Sequence, residues 1–169
     1  EYRSEMVATV LAPDAQAPAA PADALAVAPE SAPADAPETG EALAIVRSVP
    51  KGGYVPGETL DAVVTITYGR AKSDPVTAIA VVEVLPEGWT FESVAGDAVP
   101  TLAPQPGATG EINFIWVTPP KWPATFTYRV RVPENEAGAR VLSGHSLYRT
   151  SGGEIRTPPA VTELNPLSP

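Results

Sequence analysis

The chain has 169 residues, 44% of them hydrophobic, which gives room for one ordinary domain with an appendage and excludes two large ones. Proline is the outlier at 21 residues, against a usual level of about 5%, and zero cysteine excludes a disulfide framework, thiolate metal sites and thiol catalysis. The formal charge of −9 is unevenly placed: residues 1–41 hold eight acids and one base, whereas residues 42–169 hold twelve acids and ten bases.

Acidity therefore belongs to an N-terminal arm, residues 1–41, and the folded region expected over residues 42–169 is near neutral. A nucleic-acid partner would need clustered Lys/Arg; Arg129 and Arg131 stand at an i, i+2 spacing that only decorates one strand face. No stretch reaches the roughly 20 apolar residues of a membrane span. The apolar residues 6–12 are too few, and Glu1 and Glu5 precede them where a signal peptide would carry positive charge. A chain that opens on Glu1 reads as a processed or trimmed product.

Residues 12–38 contain twelve alanines and six prolines. With almost no large side chains, this segment cannot offset the entropy of ordering itself, and its prolines favour an extended conformation. Two pieces of the arm could be gripped by a partner: Met6, Val7, Ala8, Thr9, Val10 and Leu11, which are strand-forming, and the larger apolar groups Leu25 and Val27. A plain linker or stalk is the blander reading of the same segment.

From Leu43 onward the period changes to two, in short apolar runs bounded by Gly and Pro. Residues 43–49 form the first expected strand, ended by Pro50 and the turn at 51–53. Leu60, Ala62, Val64, Ile66 and Tyr68 make the buried face of the next. Residues 76–85 make a longer apolar run, which predicts a strand covered on both sides. Residues 89–94 follow a Pro-Glu-Gly turn, and a loop over 99–110 leads to the alternating Ile112, Phe114 and Trp116. Phe126, Tyr128, Val130 and Val132 alternate likewise, and 140–149 and 160–164 complete the set. About eight strands, within a range of 7–9, and no helical stretch predict an all-β, antiparallel β-sandwich. Pro86, Pro100, Pro119, Pro120, Pro123 and Pro133 all fall between the expected strands, where a missing donor costs nothing.

The segments Gly-Tyr-Val-Pro-Gly-Glu (53–58), Val-Leu-Pro-Glu-Gly-Trp-Thr-Phe (84–91), Phe-Ile-Trp-Val (114–117), Ala-Thr-Phe-Thr-Tyr (124–128), Arg-Val-Pro (131–133) and Ser-Gly-His-Ser-Leu-Tyr-Arg (143–149) resemble a recurrent immunoglobulin-like domain of bacterial secreted and cell-surface proteins. The resemblance covers about residues 43–164. It implies an extracellular β-sandwich of structural or binding character and carries no site residues with it.

The sequence offers no catalytic, cofactor or metal constellation. His145 has no adjacent carboxylate or nucleophile to make it a general base. The Ser-Gly pairs at 143–144 and 151–152 lack the nucleophile-elbow pattern and read as turn or bulge signals. Glu134 and Glu136 flank Asn135 in what reads as a solvated turn, and Asp97 stands by a loop; neither is a calcium or glycosidase pattern. Trp89, Trp116 and Trp122, with Tyr128 and Tyr148, could make an aromatic platform for sugars. Strand alternation instead sends Trp89 and Trp116 to the core, which leaves Trp122, in the 118–123 loop, as the ligand-contact candidate, with covering one end of the sandwich as its other reading.

The expected function is that of a non-enzymatic extracellular structural protein, a filament or surface-layer subunit of a bacterium. It would self-associate by adding arm residues 6–11 as a strand to the sheet edge of a neighbour. The alternative is an accessory module binding a polysaccharide or another surface protein, with the arm as its stalk. Light scattering separates the two, because only the first predicts a concentration-dependent size.

Overall fold

The computed structural model describes residues 42–69 and 74–168. The arm segments singled out above, residues 6–11 with Leu25 and Val27, lie outside the described residues. Ten strands follow in chain order: β1 (Leu43–Ser48), β2 (Gly53–Tyr54), β3 (Thr59–Tyr68), β4 (Ala78–Val84), β5 (Thr90–Gly96), β6 (Glu111–Trp116), β7 (Ala124–Arg131), β8 (Arg140–Thr150), β9 (Gly153–Arg156) and β10 (Ala160–Pro166). No helix occurs among the described residues.

The strands form two sheets, ordered β1-β3-β7-β5 and β2-β10-β8-β4-β6, with β9 beside β8. All pairings are antiparallel except the short β2–β10 contact. The all-β sandwich read from the alternation is therefore the observed fold. Two strands were not foreseen. Both are short and begin at a glycine: Gly53, from the turn expected at 51–53, opens β2, and Gly153 opens β9 directly after the turn at 151–152.

The core follows the period-2 rows. Leu60, Ala62, Val64, Ile66 and Tyr68 of β3 are all buried, and so are Ile112, Phe114 and Trp116 of β6 and Phe126, Tyr128 and Val130 of β7. Phe114 is central: its ring centroid lies 5.9 Å from Phe91, 5.0 Å from Phe126 and 5.4 Å from Tyr128, within the range where tilted and edge-on aromatic pairs attract. The six prolines assigned to connections do lie outside strands.

The reading of 76–85 as covered on both sides needs correction. Ile79 and Val81 face the core, but Ala78, Ala80, Val82 and Val84 face outward, and no described element packs over them. Val82 is buried and Val84 is 39% exposed. Ser143-Gly144 is also corrected: Gly144 is a buried residue in the middle of β8, opposite Glu83. A Cβ there would stand 2.7 Å from the Glu83 carboxyl and 2.7 Å from the Val82 carbonyl oxygen, so only glycine leaves the Glu83 side chain its space.

Candidate functional site

Strand β1 ends its sheet and hydrogen-bonds β3 alone among the described strands. Its other side faces β10, with which it does not pair, so a lateral seam runs between the two sheets. The edges at β5 and β6 are partly covered. Phe91 of β5 exchanges backbone hydrogen bonds with Gly107 and Ala108, and Ile115 of β6 exchanges two with Leu102. At its Ala44 end the seam opens into a cleft of about 180 Å³ lined by Ala44, Ile45, Thr157, Pro158, Pro159 and Ala160. Val46, next along β1, is 63% exposed.

The seam is closed further along by a polar bridge that the sequence analysis missed. Arg47 of β1 reaches between the sheets, its Nη2 2.5 Å from Glu83 Oε2, while its Nη1 donates to the carbonyls of Leu142 and Ala160 and to Thr162 Oγ1. Tyr128 donates its hydroxyl proton to the same carboxylate at 3.0 Å. Both charged side chains are almost wholly buried, at 1% and 0% exposure. Burial pushes the Glu83 carboxyl above its ordinary range, opposed by Arg47 and the Tyr128 hydrogen bond. The same burial, with Glu83 alongside, drives Tyr128 well above the usual phenol value. The signal was present in the sequence as two lone opposite charges, each inside an otherwise apolar strand run.

Glu136 corrects a second reading. It is not solvated: at 9% exposure it accepts from the Trp89 indole Nε1 at 2.5 Å and forms an ion pair with Arg140. The Arg140 hydrogen bond, with burial opposing and Trp89 assisting, holds its carboxyl below the usual range. Tyr54 packs edge-on against Trp89 and donates to the Gly138 carbonyl. The 134–138 turn therefore fastens one end of the sandwich.

The aromatic platform does not assemble. Trp89, Trp116, Tyr128 and Tyr148 are all buried. Trp122 packs on the core's edge with its ring centroid 5.9 Å from Tyr68, half-buried. Beside its loop an open cleft of about 490 Å³ is lined by Asp97, Thr101, Thr118, Lys121 and Thr125, among others. His145 is half-buried on the outer face of β8, and its nearest ring contact is Arg156, 3.5 Å from Nδ1. Ser146 Oγ is buried within the core, so the two side chains point to opposite sides of the sheet. Among the described residues no cluster of His, Asp or Glu could hold a metal ion, and no helix is long and apolar enough to cross a membrane.

Residues 54–133 match the family described as the NPCBM-associated, NEW3 domain of alpha-galactosidase. The chain is similar in fold to a cohesin module from a Clostridium perfringens family 33 glycoside hydrolase, with 12% identity, TM-score 0.55, and coverage of 73% of this chain and 96% of that one. It is similar also to a C-terminal fragment of the major pilin GBS80 of Streptococcus agalactiae, with 12% identity, TM-score 0.55, and coverage of 73% and 56%. A third likeness is to the major pilin subunit BcpA of Bacillus cereus, with 10% identity, TM-score 0.54, and coverage of 75% and 41%. The chain thus spans little more than half of one pilin structure and less than half of the other. No curated protein matches its sequence. The folded region is an immunoglobulin-like sandwich of the kind carried by bacterial pilins and surface proteins.

Proposed function

We propose that this chain is a non-catalytic module of a bacterial secreted or cell-surface protein, and that it self-associates by adding residues 6–11 of one copy as a strand beside β1 of the next. The observation that supports the reading is the open edge of β1. Its outward N–H and C=O groups pair with no strand among the described residues, and such an edge is the usual template for an added chain. The arm segment alternates Val7, Thr9 and Leu11 against Met6, Ala8 and Val10, so either row has apolar groups for the seam. Leu25 and Val27 form a second, smaller seat. Donor and acceptor surfaces differ, so the contact is head-to-tail and can propagate into a filament. Deleting residues 1–11 is expected to leave a folded protein that no longer builds assemblies larger than a pair. An unchanged mass by light scattering would overturn the reading.

A second reading rests on the cleft beside the Trp122 loop. Its threonines, Asp97 and Lys121 offer polar partners, and Lys121 and Pro123 in its lining flank the half-buried Trp122 in the chain, a combination suited to a polysaccharide. The NEW3-domain match, named for alpha-galactosidase, favours the same class of ligand. Trp122 fluorescence should then shift on titration with soluble glycans, and a flat titration for Trp122→Phe with a retained wild-type signal would place the contact at that indole.

A further inference from the structure

The two outer faces of the sandwich differ in chemistry. The outside of the β1-β3-β7-β5 sheet is rich in threonine and carries the exposed ion pairs Arg129–Asp61 and Arg131–Glu92. The outside of the larger sheet is aliphatic. The register places Val84 in one row with Ser143 and Val161, and Ala80 in another with Leu147, Ile115 and Leu102. Val161 is 63%, Leu102 56% and Val84 39% exposed; the row between them holds His145, Val82 and Asn113, and exposed aliphatic groups gathered on one face in this way mark an interaction surface.

The charges on this face sit at opposite ends. Glu163 and Glu111 lie beside Val141 and Val84 at one end, whereas Arg156 and Arg149 lie beside Leu147 and Ala78 at the other. Arg149 is paired with Glu154, whereas among the described residues Arg156 forms no ion pair and its guanidinium lies against the His145 ring. Burial, with Arg156 alongside, lowers the His145 pKa, so at neutral pH that ring adds no charge of its own.

We infer that this face stacks on the same face of a second copy, about a two-fold axis lying in the plane of contact and running across the strands. That rotation reverses the order of rows while keeping each strand column on its own side. β9 and β10 share one side of β8, so Glu163 of each copy comes over Arg156 of the other, and the Val84 row of each copy meets the Val82 row of its partner between them. A self-complementary patch is what an isologous contact requires. Five columns about 4.8 Å apart and the four overlapping rows, about 7 Å apart, give roughly 400 Å² per copy. The pair then buries about 800 Å², the size of a weak, transient association. The inference does not depend on strand addition at β1, which uses a different edge.

The test is a charge swap in the full chain, followed by sedimentation velocity over a concentration series, with circular dichroism to verify the fold. The wild type is expected to pair. Arg156→Glu and Glu163→Arg, both at exposed positions, should each raise the dissociation constant about tenfold or more, and the double variant should return it to near the wild-type value. A wild type that stays monomeric throughout, or a double variant no tighter than the single ones, would overturn the pairing. Loss of the pair on removing residues 1–11, with the charge variants silent, would also overturn it and assign the face to the arm. Persistence of assemblies larger than a pair in that truncation would instead count against strand addition alone.

Discussion

Replacing Arg47 with methionine is expected to destabilise the fold by about 3–5 kcal/mol, because it leaves the Glu83 carboxylate buried without its countercharge. Glu83 is wholly buried, and among the described residues the Tyr128 hydroxyl would remain as the hydrogen-bond donor to its Oε2. The loss should depend on pH in a defined sense. Burial already raises the Glu83 carboxyl, and Arg47 is the main force opposing that rise. In the variant the folded-state pKa stands further above the unfolded one, so the folded state binds the proton more tightly. Its stability is therefore greatest below the ordinary glutamate value of about 4.3 and falls as pH rises through the folded pKa. Urea denaturation at neutral and acid pH measures both effects. The double variant Arg47→Met, Glu83→Leu should recover most of the loss, since apolar pairs replace buried ion pairs at little cost. A single variant that loses less than about 1 kcal/mol at neutral pH would show that the bridge does not hold the seam.

Phe114→Ala is expected to cost about 3–5 kcal/mol, the range for removing a fully buried phenylalanine. Phe114 is 0% exposed and is ringed by Phe91, Phe126 and Tyr128. These neighbours come from β5 and β7 of the opposite sheet, so the substitution opens a cavity between the layers that neither sheet can collapse without moving the other. A fall in the urea midpoint with an unchanged slope measures it. Retention of the wild-type midpoint would show that the two sheets repack freely, against the placement of Phe114 at the centre.

Residue patterns were most informative where burial and alternation coincide. Each of Leu60, Ala62, Val64, Ile66 and Tyr68 lies inward, as an amphipathic strand demands, and the same holds for Ile112, Phe114 and Trp116. They were least informative for polar groups whose partners are distant in sequence. Glu136 looks solvated beside Asn135, and only the return of Trp89 from 47 residues away turns it into a hydrogen-bond acceptor. Glu83 and Arg47 lie 36 residues apart on strands of different sheets, so nothing local announces their pairing. β2 and β9 escaped because strands of 2 and 4 residues are too short to show a period.

By itself the amino-acid sequence determined the class of fold and the inward rows, because these depend on local period and composition. Tertiary structure decided which edge is open, where the buried ion pair closes the seam, and that the apolar outer row of β4 faces away from every described element. The physical reason is that side-chain alternation specifies which way a residue points relative to its own sheet. What stands on the far side depends on strand order, and strand order arises from contacts between residues the chain keeps far apart.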